Sequence, residues 1–432
     1  MVTAERATVR LVCAECGTEY PTGEPRYRCE CGGLLDVRQP LDALRGRLSR
    51  DLFDRRLGSR DRLDQSGVWR FRELLGDYTP AEIVTKPEGR GNLYTDQRLA
   101  DWAGVGQLWL KHEGENPTAS FKDRGMTVGI TQARRLGARI VACASSGNTS
   151  ASLAAYAATA GLPALTFVPE GKVSAAKLAQ TIAYGAKVIQ IRGDFDAAME
   201  LVQQVAARPD LGVYLLNSIN PFRLEGQKTI LFDALQGLNW QLPDVIALPG
   251  GNLGNTAAIG KALEELFALG LIDRLPRLVT VQAAGAAPFA RAFAQGFADG
   301  AYQPVQAKTV ATAIQIGAPV SYPRARRAIE RTNGIVTSVS DEAILRAKAQ
   351  IDRAGIGCEP ASAATLAGVR ALVESGDLPA KSSVLGILTG HLLKDSDAIV
   401  SYHQPDPDGM RPGANPPLTI DPTLAAVETI LR

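Results

Sequence analysis

Long apolar runs are missing from this chain, and so is any surplus of charge. No stretch is both apolar enough and long enough to span a bilayer, and the opening, MVTAERATVR, is no signal peptide. A soluble cytoplasmic protein is expected. The 47 Lys and Arg residues face 45 Asp and Glu, a formal net charge of +2, and the two signs are well mixed. That balance argues against a polyanion partner over the whole surface. Cysteine is scarce for the length: six in 432 residues do not make a disulfide scaffold. Neither GxGxxG nor the Gly-Lys-Ser/Thr of a P-loop occurs in the glycine-rich segment discussed below, which disfavours an adenine dinucleotide or ATP there.

What is present is a chain with 45% apolar residues, enough for a large core split into two or three domains. Four of the six cysteines cluster at the start, in CAEC (13–16) and CECGG (29–33). The spacing, C-x2-C, twelve residues, C-x-C, is close to the paired knuckles of a structural zinc site. Cys13, Cys16, Cys29 and Cys31 are therefore candidate tetrahedral zinc ligands, with vestigial or redox thiols as the alternative. Cys143 and Cys358 sit in apolar surroundings and read as inert core thiols. Between residues 44 and 67 arginines interleave with Asp51, Asp54, Asp61 and Asp64, as in a solvated helical connector rather than a nucleic-acid patch.

From about residue 107 the pattern alternates. QLWLKHE, ARIVACAS, PALTFVPEG, KVIQIRG, GVYLLNS, DVIALPGG, RLVTVQAAG and SSVLGIL read as strands, and the segments between most of them have helical spacing. Strand–helix alternation with short loops means parallel sheets covered by helices on both faces, an α/β fold. The tail HQPDPDGMRPGANPPLTIDP is proline-rich and reads as a surface-hugging or mobile segment.

In such folds ligands gather at the carboxyl ends of strands. Three loops there are unusual. PGGNLGN (249–255) has three glycines and two asparagines ahead of a helix, suited by positive φ angles and converging N–H groups to a phosphate, or else to a plain tight turn. SSGNTSAS (145–152) offers Ser145, Ser146, Asn148 and Thr149 at another helix start, suited to a carboxylate or polar ring edge, or else to ordinary capping. NPTASFKDRGM (116–126) puts Ser120 at the expected N-cap and Lys122 in the first helical turn. The helix dipole disfavours an ammonium there, so the lysine pKa should fall, as a nucleophilic amine requires; a surface lysine pointing away is the alternative. One amine, one phosphate cradle and one small-anion cradle together suit pyridoxal 5′-phosphate and an amino-acid substrate.

In order, NPTASFKDRGM, SSGNTSAS, NSINPFRLEGQKT, PGGNLGN and LTGHLLKD resemble the threonine synthases of the fold-type II (tryptophan synthase β-like) pyridoxal-phosphate family, from the cysteine module to about residue 400. The resemblance implies two three-layer α/β/α domains with mainly parallel sheets, plus a small zinc-ribbon-like module. Its expected division is 1–38 for that module, 39–114 with 215–432 for a large cofactor-binding domain, and 115–214 for a smaller domain carrying the lysine. It implies that Lys122 holds the cofactor as a Schiff base and shuttles protons. Asn148 would bond the 3′-oxygen of the ring, and Gly251, Asn252, Leu253, Gly254 and Asn255 would wrap its phosphate. Thr389 would face the pyridine nitrogen and, being neutral, leave it largely unprotonated.

For substrate, Ser145, Ser146 and Thr149 would grip the α-carboxylate, while Asn217, Ser218 and Arg223 would hold the phosphate of O-phospho-L-homoserine. Arg223 suits that task as a planar fork, although a surface arginine at a helix start is its bland alternative. The implied reaction is a carbon–oxygen lyase step: γ-elimination of phosphate and water addition at Cβ, giving L-threonine, the last step of threonine biosynthesis. The family also implies a homodimer and possibly a structural zinc ion. Two departures are Leu392, where many relatives have glycine, and Gly250, where valine is common. His391, one of only three histidines, reads as structural.

Rival readings are a serine/threonine dehydratase, a synthase using O-phosphoserine, and a zinc-ribbon nucleic-acid adaptor with a degenerate enzyme domain. Arg223 argues against the first, the balanced charge and the presence of Lys122 against the last.

Overall fold

The computed structural model describes residues 8–171, 175–405 and 409–431. The expected start of the SAAKLAQTIAYGA helix at Ser174, part of the proline-rich tail, and the first seven residues lie outside them.

Three sheets organise the chain. Strands β1 (Arg10–Cys13), β2 (Glu19–Tyr20) and β3 (Leu35–Arg38) form an antiparallel sheet in the order β2-β1-β3. A six-stranded sheet uses β4 (Leu93–Tyr94), β5 (Gln107–His112), β10 (Val245–Pro249), β11 (Arg277–Ala283), β12 (Ile335–Val339) and β13 (Ser383–Leu388). Its order is β12-β11-β10-β13-β5-β4, parallel except for the short edge strand β4. A four-stranded parallel sheet runs β8-β7-β6-β9, from β6 (Ile140–Ala144), β7 (Ala164–Pro169), β8 (Lys187–Ile191) and β9 (Val213–Leu215).

Period-two alternation explains why both faces of the large sheet are covered. Ile246 and Leu248 of β10, with Leu385 and Ile387 of β13, pack into one core; Val245 and Ala247, with Val384 and Leu388, pack into the other. Each such valine, leucine or isoleucine withdraws enough apolar surface to contribute about 1.5–3 kcal/mol. The small sheet divides likewise, Val141 and Cys143 to one face and Ala142 and Ala144 to the other. The α/β reading with mainly parallel sheets agrees with this architecture.

Two helices, Lys122–Arg135 and Pro221–Gly237, bear Lys122 and Arg223. They cross at backbone contact, because a Cβ on Gly226 would run into the carbonyl of Arg124. Beneath the crossing lies a buried ion cluster. Asp233 accepts from Arg70 (2.5 Å), Lys111 (2.7 Å) and Arg124 (2.7 Å), and Arg124 also holds Glu113 through two bonds of 2.6 and 2.7 Å. These charges fix the start of the Lys122 helix against the large sheet.

Several expectations need correction. Ser120 does not cap its helix: Phe121 holds the N-cap position without a side-chain bond, and the Ser120 hydroxyl is buried without a partner. Asp123, inside the first turn, instead ties down the segment before the helix, accepting from Thr118 N at 2.7 Å and Thr118 Oγ1 at 2.5 Å. The 44–67 connector is helical over Arg50–Leu57 and Arg62–Gln65 and mostly exposed, as expected, but it is anchored on one side. Phe53 is fully buried against Phe71, and Asp54 accepts from Trp240 Nε1 at 3.1 Å. Residues 310–380 supply β12 and helices Tyr322–Arg331, Asp341–Arg353 and Pro360–Glu374, none of which the strand–helix count had included. The described part of the tail lies on the surface, tied by Tyr402 Oη to Pro412 O at 2.7 Å, and ends in a helix, Leu424–Leu431. Among the described residues no helix is long and apolar enough to cross a membrane.

Candidate active site

The carboxyl ends of the large and small sheets open into one cavity of about 850 Å³. Its lining includes Lys122, the loop Ser145–Thr149, Asn217, Ser218, Arg223, the loop Gly251–Asn255 and Thr389. All the residues singled out for cofactor and substrate therefore meet in one place. The four cysteines do not.

The Gly251–Asn255 loop follows β10 and starts the helix Gly254–Ala268. Among the described residues the N–H groups of 251–256 find no protein acceptor; the first helical bond is Ala257 N to Leu253 O. Six unspent donors at a helix start form an anion cradle. The glycines serve it by room rather than by positive φ, as the sequence reading had assumed. A Cβ on Gly250 would meet Thr280 Cγ2 at 2.5 Å, and the left-handed residue is Leu253, at φ 62°. Asn255 Oδ1 and Gln227 Oε1 are buried nearby without partners.

Across the cavity, after β6, the N–H groups of Ser146, Asn148 and Thr149 are also without protein acceptors at the start of the helix Asn148–Ala160. Asn148 Nδ2 donates to Glu359 Oε2 at 3.0 Å. Thr389, after β13, bonds Ser362 Oγ at 3.0 Å and Glu359 Oε1 at 3.1 Å.

Lys122 lies between these walls. Its pKa falls from 10.5 to about 7, chiefly because burial penalises the ammonium, then because Arg223 is nearby; Glu359 opposes. The direction agrees with the expectation from the helix start, but the dominant cause is desolvation. Arg223 is 1% exposed, with Nη1 on Leu216 O at 3.0 Å and Nε buried without a partner. Burial draws its pKa down to about 10. An unpaired guanidinium edge beside a neutral-leaning amine calls for an anion.

Asn217 lines the cavity and bonds Ala144 through its amide oxygen and one amide hydrogen, 2.9 Å to N and 2.9 Å to O. It ties β6 to the turn after β9 and so positions the Ser145 loop. His391 Nδ1 accepts from Leu393 N at 3.2 Å, a cap on the turn Leu392–Asp395. Leu392 lies over Gly357, where no Cβ intervenes.

Sequence reasoning missed Glu359 and Lys394, both in the lining. Glu359 precedes Pro360 at the start of Pro360–Glu374, where an acid is unremarkable, so no pattern singles it out. Lys394 belongs to LTGHLLKD and bonds Gln180 Oε1 across the cleft.

Away from the cavity, the Sγ atoms of Cys13, Cys16, Cys29 and Cys31 all lie within 4.8 Å of one another, three of the pairs at 3.5 Å. A tetrahedral zinc ion with bonds of ~2.3 Å separates its sulfurs by ~3.8 Å, so four thiolates here fit that ion. Burial pushes Cys143 up to about 12, an inert core thiol.

A lowered-pKa lysine facing a phosphate-sized cradle on a parallel-sheet scaffold defines an enzyme that works with pyridoxal 5′-phosphate. The family model "Pyridoxal-phosphate dependent enzyme" matches residues 84–390. The chain is 45% identical over 389 residues to the threonine synthase of Methanocaldococcus jannaschii, covering 90% of this chain and 93% of that one. It is 40% identical over 425 residues to "Threonine synthase 2, chloroplastic" of Arabidopsis thaliana, 96% of this chain and 82% of that one. In fold it resembles Escherichia coli threonine synthase, at TM-score 0.68 and 20% identity over 98% of this chain and 99% of that one. Maize serine racemase shares the fold over 70% of this chain and 88% of its own, at TM-score 0.60 and 22% identity. The chain belongs to the pyridoxal-phosphate-dependent enzyme family, among its threonine synthases.

Proposed function

We propose that this chain converts O-phospho-L-homoserine and water to L-threonine and phosphate. The observation that carries the reading is Arg223: a buried guanidinium with an unspent Nε, in the same cavity as Lys122 and two separate sets of free N–H donors. One donor set, residues 251–255, suits the cofactor phosphate. The other, with the Ser145, Ser146 and Thr149 hydroxyls, suits the α-carboxylate of an amino acid. Arg223, with Ser218, then takes the phosphate that distinguishes this substrate from serine or threonine. Asn217 holds the loop through its oxygen and one amide hydrogen and offers its second amide hydrogen to the same phosphate.

Pyridoxal 5′-phosphate, when bound, supplies an electron sink for carbanions next to the amino group. Lys122 would hold the cofactor through its aldehyde carbon, and its buried amine, with a lowered pKa, suits the taking and returning of protons at Cα and Cβ. Asn148 would orient the ring through its 3′-oxygen and Thr389 would meet its nitrogen. Arg223 stabilises the leaving phosphate dianion in a low-dielectric pocket, where a charge-assisted bond is strong.

The same proposal places residues 39–114 and 215–432 in the cofactor-binding domain, 115–214 in the smaller domain, and a structural zinc ion on the four cysteines of 1–38. It takes the working form as a cytoplasmic homodimer, measurable by light scattering. The deciding experiment compares phosphate release from O-phospho-L-homoserine and O-phospho-L-serine, with threonine assayed as product. Release from the first with threonine formed is expected. Release only from phosphoserine, or none from either by the coloured enzyme, would overturn the reading.

A further inference from the structure

We propose that the four-cysteine module braces the cradle of the cofactor phosphate, so that a metal ion on Cys13, Cys16, Cys29 and Cys31 tightens the grip on that phosphate. This rests on the readings above of loop 251–255 as the cradle and of the cysteines as a zinc site.

A cradle of converging N–H groups does not hold itself, because its donors point one way and repel one another. The loop is held from behind by three helices. Gly254–Ala268 grows directly out of it. Ser321, at the start of Tyr322–Arg331, donates its N–H to Asn252 O at 3.1 Å, and Val320 N donates to Asn252 Oδ1 at 3.3 Å. Pro221–Gly237 presents Gln227 beside Gly254, where a Cβ would meet Gln227 Oε1 at 3.3 Å.

All three helices are fastened to β3 and the residue after it. Lys261 Nζ donates to Val37 O and to Glu225 Oε1. Lys261 lies two turns after Gly254 on the same helix face, about 10 Å along the axis. Asp36 pairs with Arg324 at 2.7 Å and with Arg327 at 2.9 Å, and Arg324 Nη2 also donates to Leu35 O. Gln39 Nε2 donates to Glu225 Oε2 at 3.1 Å, on the helix that bears Arg223 and Gln227. Lys228 closes the network, 2.6 Å from Glu225 and 2.7 Å from Glu265. Glu225, Lys228 and Arg324 are buried, so salt and water screen these bonds little.

The strand in turn depends on the cysteines. Leu35 faces Cys13 across the β1–β3 ladder, and Leu34 O takes the N–H of Ala14 at 2.8 Å. Gly33 is pressed so close that a Cβ there would meet Cys13 Sγ at 2.7 Å. A module ending near Arg38, with strands of two to four residues, is below the size at which a hydrophobic core suffices alone; such modules lean on a metal or a disulfide. An ion joining the four thiolates fixes β1 to the turn before β3. The order of β3 then passes to the three helices and through them to the loop.

The test compares two ligands on the full chain stripped of cofactor: pyridoxal 5′-phosphate, and pyridoxal, which has the aldehyde but no phosphate. Each is titrated by the absorbance of its bond to Lys122, before and after a chelator removes zinc, with the loss checked by elemental analysis. Zinc removal should weaken binding of the phosphate form about tenfold and leave pyridoxal unchanged. By reciprocity the phosphate form should tighten zinc binding by the same factor, and pyridoxal should not. Lys261→Met and Asp36→Asn, which cut the brace but spare the cysteines, should weaken the phosphate form selectively with zinc in place. Equal weakening of both ligands, or of neither, would overturn the inference, because general loosening does not select for phosphate. The wild-type titrations need no substitution and stand if the variants fold poorly. A chain that takes up no zinc would sink the zinc reading instead, and the two substitutions then decide the brace. Wild type that binds pyridoxal as tightly as its phosphate would sink the reading of loop 251–255.

Discussion

The backbone N–H of Phe121 donates to the carbonyl of Thr389 at 2.9 Å. With Ser120 bridged to Gly390 and His391 N on Ala119 O at 3.1 Å, the segment before Lys122 is zipped to the loop after β13. The amine and the hydroxyl on the two sides of the cofactor site are thereby held by main-chain bonds. Side-chain truncation at either position should consequently change chemistry more than fold.

Removing the amine tests this first. Lys122→Ala should abolish the visible band of the cofactor-loaded protein and lower turnover by roughly 10³-fold or more, with circular dichroism unchanged.

The pH behaviour of the cofactor-free protein has a definite sign. Above pH 10.5 the Lys122 amine is neutral in folded and unfolded chains alike and costs nothing. As pH falls from 10.5 towards 7 the unfolded chain takes up a proton that the folded one resists, so the cost grows and is complete below about 7. Lys122→Met should therefore stabilise the apoprotein by about 2 kcal/mol at pH 6, allowing for cavity water, and by much less at pH 10. Urea melts at the two pH values check it.

Arg223 depresses the same amine, so Arg223→Met should raise the Lys122 pKa and shift the pH dependence of cofactor attachment upwards. Losing a buried partner for phosphate should also weaken kcat/KM for the phosphorylated substrate by about 2–5 kcal/mol, some 30-fold at the least. A pH series of cofactor titrations and steady-state kinetics measure the two effects.

Asp233 neutralises Arg70, Lys111 and Arg124 together, and those cations hold its pKa well below the usual carboxylate range. Asp233→Asn leaves three cations short of an anion and should cost about 3–5 kcal/mol in denaturant unfolding. Its contribution in the wild type is present above the ordinary carboxylate pKa and lost as pH falls through the depressed one.

The four-cysteine cluster should carry about one zinc ion per chain by elemental analysis. Chelation should lower the melting temperature, because β3 is bound to the body: Asp36 pairs with Arg324 at 2.7 Å and Arg327 at 2.9 Å. Metal-free protein with an unchanged melting temperature would count against that site.

Much of this was readable in the chain. Alternating strands and helices announced the two parallel sheets, because burial on both faces leaves continuous apolar runs such as VIALP and VLGIL. The anion cradles were legible as glycine and small polar residues at helix starts. What escaped was whatever depends on distant partners. Glu359 looks like any acid before a helix until Thr389 and Asn148 are folded against it. Asn217 gave no sign in the sequence of the two bonds by which it ties Ala144 to the turn after β9. Gly250 looked like a residue chosen for positive φ, when Thr280 decides it by crowding.

The most direct test is chemical. Two lysines, Lys122 and Lys394, appear among the described residues lining the cavity. Borohydride reduction of the cofactor-loaded protein, followed by peptide mass mapping, fixes the cofactor where it was bonded. The added mass should fall on the peptide bearing Lys122; its recovery on Lys394, or on any other lysine, would contradict the mechanism at its root.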